Sequence, residues 1–180
     1  NAGMAIWDRE DGFQRQIHGI SNTPFRTKFE RDLADFHGCS GIGCISDTDP
    51  QPLLVRSHLG LYAISTVGII NNADELIQTY FSDHGHQFMA MSSGRVNATE
   101  LAAALINQKD DLVSGILHAQ EMIQGSLTLL ILTERGEIIA ARDRLGRLPV
   151  LIGKNDEGCC VSFESFACLL YTSDAADEED

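Results

Sequence analysis

Four short runs carry the side chains whose types and spacing could do chemistry: His37-Gly38-Cys39-Ser40, Asp47-Thr48-Asp49, His84-Gly85-His86 and Arg142-Asp143. The two histidines about Gly85 could share a metal ion, yet such a pair in a glycine-containing loop reads as solvated loop residues. Asp47-Thr48-Asp49 leads into Pro50, and aspartate and proline both initiate turns; no glycine or trailing glutamate follows to complete a calcium loop. His37 beside Cys39 and Ser40 offers a base and a nucleophile, but near neighbours in sequence rarely converge on one point, and no G-x-S-x-G run is present. Cys39 and Cys44 each adjoin a glycine in a strand region, which suits small core residues. Arg142 with Asp143 reads as a structural ion pair or a set of corner hydrogen bonds. Taken alone, these residues nominate no metal site and no nucleophile.

Positioning falls to a chain of 180 residues with 43% hydrophobic side chains, one domain's length with apolar content for a sizeable core. Strand patterns fall near 3–8, 13–18, 41–46, 51–56, 60–67, 87–91, 126–133, 137–142, 149–153 and 158–163, and helix patterns near 24–36, 73–82, 98–108 and 110–123. Two helix starts have a mechanism. Asn72 with Glu75, and Asn97 with Glu100, place a capping side chain three residues before a carboxylate that can answer the N-cap amide. The second pair accounts for Asn97-Ala98-Thr99 without glycosylation. Over 126–133, Leu127, Leu129 and Ile131 alternate with Leu130 and Leu132, so this strand is apolar on both faces. It needs one layer above and one below, which implies helices over packed antiparallel sheets. Glu134-Arg135-Gly136 supplies a hairpin turn, with the glycine taking a positive φ, and the lone Trp7 reads as core or strand-edge packing.

The fourteen residues from Ala140, AARDRLGRLPVLIG, end one apolar strand at Arg142-Asp143, reverse at Gly146 and open a second strand at Pro149; VSFESFA follows from Val161. This corner resembles the A-R-D-P-L-G-I-R-P-L-V-L-G signature of amidophosphoribosyltransferases. The signature recurs in related N-terminal-nucleophile glutamine amidotransferases, where a strand ending in Ser-Glu-Ser follows. The likeness runs through residues 2–167. NAGMAIWD is similar to the family's S-A-G-x-A strand, and GIGCISDTDPQPLL from Gly41 to G-I-G-H-V-R-Y-S-T followed by a Gln-Pro dipeptide. TVGIINNADELI from Thr66 is similar to H-N-G-N-L-x-N-x-x-E-L, and NATELAAALI from Asn97 to S-D-S-E-V-L-x-x-L-I.

The resemblance implies an α+β fold, a four-layer αββα sandwich of the N-terminal-nucleophile hydrolase type, here incomplete. It also implies a reaction in which an N-terminal cysteine thiolate attacks the glutamine amide while its own α-amino group shuttles the proton. Asn1 is no nucleophile, so the expected cysteine lies upstream of Asn1 and the chain alone is expected to be inactive. The family's oxyanion hole uses the Asn side chain and Gly amide of H-N-G. These map to Val67, which cannot donate, and Gly68, whose amide can. The arginine that grips the substrate carboxylate maps to Ser46, and the aspartate that holds the substrate ammonium maps to Ala98. Arg142, Asp143, Gly146 and Pro149 map to the structural corner.

CLLYTSDAADE from Cys168 resembles the conceptual translation of a transposase adapter used in library preparation. On that reading residues 1–167 are a partial type 2 glutamine amidotransferase domain, cut at both ends, and 168–180 a non-native tail. Setting aside its five acidic residues leaves 21 Asp and Glu against 13 Lys and Arg, a net charge of −8 in place of −13. That balance disfavours nucleic acid and anionic membranes as partners, and no apolar run nears the roughly 20 residues of a membrane span. Cys39, Cys44, Cys159 and Cys160 lack zinc-ligand spacing and suit reduced thiols in the cytoplasm. The implied parent reaction makes phosphoribosylamine from phosphoribosyl pyrophosphate and glutamine-derived ammonia, in purine synthesis. Its expected setting is a homo-oligomer whose phosphoribosyltransferase domain, with magnesium, lies outside this chain. Glutamine is the small-molecule partner if the domain is active, and no cofactor is expected within it. Two alternatives stand beside this: a catalytically degenerate scaffold or regulatory domain, and a related amidotransferase such as asparagine synthetase or glucosamine-phosphate synthase.

Overall fold

The strand with two apolar faces organises the molecule. In the computed structural model, which describes residues 1–165 apart from 23, 48, 85–87, 89–90 and 93, that strand spans Gly125–Thr133. In chain order the elements are β1 (Ala2–Asp8), β2 (Gly12–His18), α1 (Phe25–Asp35), β3 (Ser40–Ile45), β4 (Leu53–Ser57), β5 (Gly60–Ile70), α2 (Ala73–His84), β6 (Met91–Ser92), β7 (Arg95–Val96), α3 (Ala98–Ile106), α4 (Leu112–Met122), β8 (Gly125–Thr133), β9 (Ile138–Ala141), β10 (Leu151–Lys154) and β11 (Cys159–Ser162). One antiparallel sheet has the order β2-β1-β3 and another β4-β5-β8-β9, while β6 pairs with β7 and β10 with β11.

β8 feeds two cores. Leu127, Leu129 and Ile131 point to the helical side, where Tyr62, Ile64, Leu101, Leu105 and Ile106 close around them. Leu130 and Leu132 point to the other sheet and meet Ala5, Ile42 and Ala63, with Trp7 and Phe13 packed at the margin. Alternation along the strand is thus read out directly as two layers of contact. α3 and α4 cover the four-stranded sheet. α1 lies on β2, where Phe29 is fully buried, stacks on Phe25 and meets the edge of His18. The layer order is αββα, as the resemblance implies.

Helix starts follow local chemistry in two cases and tertiary demand in a third. Asn97 caps α3, its side-chain oxygen accepting from the amides of Thr99 (2.8 Å) and Glu100 (3.2 Å). Asp111 caps α4 through the Ser114 amide and hydroxyl. Asn72 does not cap α2 with its side chain. Instead it donates to the Met122 carbonyl (3.0 Å) and accepts from the Gln124 amide (2.9 Å), so it satisfies backbone groups left open where α4 ends.

Other expectations shift for physical reasons. β4 begins at Leu53 rather than at 51, since Pro52 has no N–H and Gln51 commits its side chain elsewhere. β10 begins at Leu151, two residues after Pro149. β5 runs on to Ile70. Cys39 is exposed in the connector before β3 rather than in the core, while Cys44 is half-buried. The turn at Glu134-Arg135-Gly136 forms as expected, with Gly136 at φ 76° and its amide donating to the Thr133 carbonyl (3.0 Å). The His84-Gly85-His86 run, most of the strand expected at 87–91, and the segment 168–180 lie outside the residues and side chains described.

Gly115 sets the approach of α4 to α3, because a Cβ there would fall 2.3 Å from the Ile106 carbonyl oxygen. Helix propensity favours alanine over glycine by about 1 kcal/mol, but a backbone oxygen cannot move aside cheaply. Gly115→Ala should therefore lower the denaturation midpoint; a raised midpoint would show that the two helices separate freely. Tyr62 gives a second test. Burial pushes its hydroxyl up to about 12, against the lowering effect of its hydrogen bond to Asn107 (3.1 Å). Because the folded pKa lies above the ordinary value near 10, the contribution to stability is whole below pH 10 and is lost as pH rises through 12. It is worth up to about 2–3 kcal/mol. Chemical denaturation at stepped alkaline pH should show this slope, and Tyr62→Phe should remove it.

Candidate active site

The positions nominated from sequence gather at one end of the sandwich. Ala2 lies opposite Ile45, and the pairing continues one residue further. The Asn1 nitrogen donates to the Ser46 carbonyl (2.8 Å) and the Ser46 amide to the Asn1 carbonyl (2.9 Å). The Ser46 hydroxyl accepts from the Asp49 amide (3.1 Å), and the Asp49 carboxylate accepts from the Ala98 amide at the start of α3 (3.2 Å). Ser46 and Ala98 are thus joined through Asp49, whose exposure is only 9%. A carboxylate here satisfies an orphan helix amide and meets the positive end of the helix dipole. Read as sequence, Asp49 is only a turn residue; no local signal announces that α3 arrives beside it.

Gln51 lies next in this wall. Its side chain accepts from the Thr66 amide (2.7 Å) and donates to the Thr66 carbonyl (3.1 Å), extending the β5 ladder past the point where β4 stops. Gly3 packs directly on it, since a Cβ there would fall 1.7 Å from the Gln51 carbonyl oxygen. The Thr66 and Thr99 hydroxyls are 2.7 Å apart and tie β5 to α3.

Val67 and Gly68 follow Thr66 on β5. Backbone groups of an antiparallel strand face alternate neighbours. With Thr66 turned toward the β4 side, Val67 faces β8 and Gly68 turns away from β8 again, to an edge that β4 does not reach. The Gly68 N–H therefore lies outside the β5–β8 ladder, on the edge that β4 leaves open. Its residue type has a separate cause: a Cβ at Gly68 would fall 2.0 Å from the Ser126 carbonyl oxygen, and one at Gly125 would fall 1.9 Å from that of Ile69. Val67 is 42% exposed and contributes only an isopropyl group.

Across the ladder Val67 faces Thr128, and Thr128 anchors the corner. Its hydroxyl accepts from the Asp143 amide (3.1 Å). The Asp143 carbonyl accepts from Gly146 (2.8 Å), whose φ is 64°, and its carboxylate accepts from the Arg147 amide (3.3 Å). Gln120 on α4 donates to the Arg142 carbonyl (2.9 Å) and the Leu127 carbonyl (3.2 Å). The corner works as a set of hydrogen bonds, with Asp143 buried and the Arg142 side chain exposed. Pro149 lies beyond it. A cavity of 320 Å³ opens between Asp143, Arg144, Leu145 and the α4–β8 connection.

The other candidates add no chemistry to this cluster. Burial pushes the Cys44 thiol up, against lowering by its hydrogen bond with Ser65, which leaves it a poor nucleophile. His37 has its backbone held on both sides by the Gln14 side chain (3.2 and 3.0 Å). Among the described residues no three His, Cys, Asp or Glu side chains gather where they could hold a metal ion, and no helix is long and apolar enough to cross a membrane.

Two sheets packed between helices, with these positions at one end, make an αββα sandwich of the N-terminal-nucleophile hydrolase type. Residues 41–170 match the glutamine amidotransferase domain, and the chain belongs to that family. The amidophosphoribosyltransferase of Methanocaldococcus jannaschii is 32% identical over 179 residues, which covers 97% of this chain and 37% of that protein. That of Escherichia coli K12 is 24% identical over 170 residues, covering 86% and 33%. The structure of the glutamine phosphoribosylpyrophosphate amidotransferase from B. subtilis, complexed with ADP and GMP, is similar with a TM-score of 0.75 at 26% identity, covering 94% of this chain and 36% of that one. This chain therefore spans about a third of the length of these relatives.

The Asp49 contact is testable by substitution. Asp49→Ala should cost about 0.5–2 kcal/mol, as loss of a helix-capping acceptor does, while Asp49→Asn keeps an acceptor and should cost less. Equal losses in thermal melts of the two variants would mean that the charge, not the hydrogen bond, holds the turn to α3.

Proposed function

We propose that this domain serves an amidophosphoribosyltransferase-like enzyme and that its use of glutamine is weak. In that enzyme a phosphoribosyltransferase domain outside this chain would form phosphoribosylamine from phosphoribosyl pyrophosphate. Magnesium would be held by residues of that domain. A cytoplasmic homo-oligomer is the setting we expect, and an N-terminal cysteine of the complete protein would be the attacking group.

The observation that carries the second half of the reading is the residue types at Ser46, Val67 and Ala98, grouped by the Ser46–Asp49–Ala98 and Thr66–Thr99 contacts. Bound glutamine presents a carboxylate, an ammonium group and an amide oxygen that gains negative charge as the thiolate adds. Each needs a partner of opposite charge or a donor. Ser46 offers the carboxylate a hydroxyl in place of a cation. Ala98 offers the ammonium no side-chain acceptor; the nearby Asp49 carboxylate uses one oxygen to accept from the Ala98 amide. For the oxyanion, Gly68 supplies one backbone donor and Val67 supplies none. Loss of one oxyanion donor costs about 10²- to 10³-fold in turnover, and the missing charged grips weaken binding at a different step, so the effects compound. The same residue types support the second reading, a domain retained for shape or regulation rather than for glutamine hydrolysis.

The complete protein separates these outcomes. Phosphoribosylamine formation should run at least about 10²-fold faster with ammonium chloride than with glutamine as nitrogen source. Glutamine-dependent turnover that matches the ammonia-dependent rate, and that is abolished by changing an N-terminal cysteine, would overturn the proposal.

A further inference from the structure

We infer that the cavity bounded by β2, β4 and α3 binds a small organic anion, a phosphate or carboxylate carried on an apolar body. The cavity is an open groove of about 570 Å³, within the range of small-molecule sites, and it does not depend on the glutaminase reading. Arg15 and Arg56 line it, with Leu53, Val55 and Ala103 as apolar wall and Glu100 on the α3 side.

Arg15 is the unusual member. It pairs with Ala5 in the β1–β2 register and so shares the face that packs between the sheets, where Ala5 is fully buried. A guanidinium therefore enters the edge of an apolar interface. Its Nε is shielded from solvent and donates to no group among the described residues. Burial lowers its pKa, although arginine stays charged. The chain carries 26 Asp and Glu, yet no ion pair between a described carboxylate and either arginine forms. Taking a cation out of water without a counter-ion is unfavourable; a bound anion would supply the missing partner.

The strand edge adds donors. Gln51 marks the β4 side of β5 at Thr66, so by alternation Tyr62 and Ile64 turn their backbone groups to β4. Their partners Val55 and Leu53 answer them, which leaves the N–H groups of Leu54 and Arg56 facing outward along the cavity. Guanidinium and backbone N–H groups together suit an oxyanion, while the aliphatic wall suits an apolar body.

The test uses 1-naphthyl phosphate as probe, titrated calorimetrically into the full-length protein with excess phosphoribosyl pyrophosphate to fill the proposed phosphoribosyltransferase site, and with inorganic phosphate as competitor. One saturable site per chain is expected, weakened about tenfold or more by Arg15→Gln and about threefold by Arg56→Gln, as for loss of charge-assisted hydrogen bonds. Inorganic phosphate should displace the probe, only more weakly, since it lacks the apolar body. Arg15→Gln should melt no lower than the parent, because it removes an unpaired desolvated charge. Absence of saturable binding, or unchanged affinity in the arginine variants, would overturn the inference. If Arg15→Gln does not fold, unchanged affinity in Arg56→Gln alone suffices, since that side chain is exposed.

Discussion

The pairing of β5 with β8 is the constraint on which the rest depends. Nine residue pairs run from Tyr62–Thr133 to Ile70–Gly125, so the two strands present one continuous surface on each side. Leu129 and Ile131 are wholly buried on one side and Leu132 on the other. Burying each such side chain contributes about 1.5–3 kcal/mol, and no single layer could cover both faces. The second sheet and the helical layer are therefore consequences of one strand's composition. A one-residue slip in this register would exchange the two sets of side chains between cores of different shape.

Around the candidate site the ladder gives out, and side chains complete what the backbone leaves open. Gln51 stands in for a strand residue opposite Thr66, Asp49 for an acceptor at the α3 N-terminus, and Asn72 for partners at the α4 C-terminus. Buried backbone donors and acceptors must be paired. Here they are paired by residues from distant parts of the chain, which makes this end of the sandwich a knot of long-range polar contacts rather than a continuation of the sheets.

That difference explains what sequence could and could not disclose. Alternation of five apolar side chains over 127–132 reported the central strand and both layers, because burial and period are local properties of the segment. The Asn97 cap and the Gly136 turn were legible for the same reason. Asn72 satisfied the same capping pattern and was drawn instead to Met122 and Gln124, partners that only the folded chain brings near. Asp49 was hidden among turn formers and Arg15 among ordinary polar strand residues. Nothing within a few positions of either signals that its neighbours will come from another element. Motif likeness nominated Ser46, Val67 and Ala98, while the contact that joins Ser46 to Ala98 through Asp49 required coordinates.

Gly68 carries a lesson about how such domains age. The strands cross so closely there that any side chain would collide with the Ser126 carbonyl, whatever the neighbouring residues do. Architecture alone is enough to preserve it. A glutaminase domain could shed the side chains that recognise its substrate and still display this residue, because discarding it would cost the fold rather than the reaction. The residue type at position 68 is thus a record of how closely two strands cross, not of what is bound there.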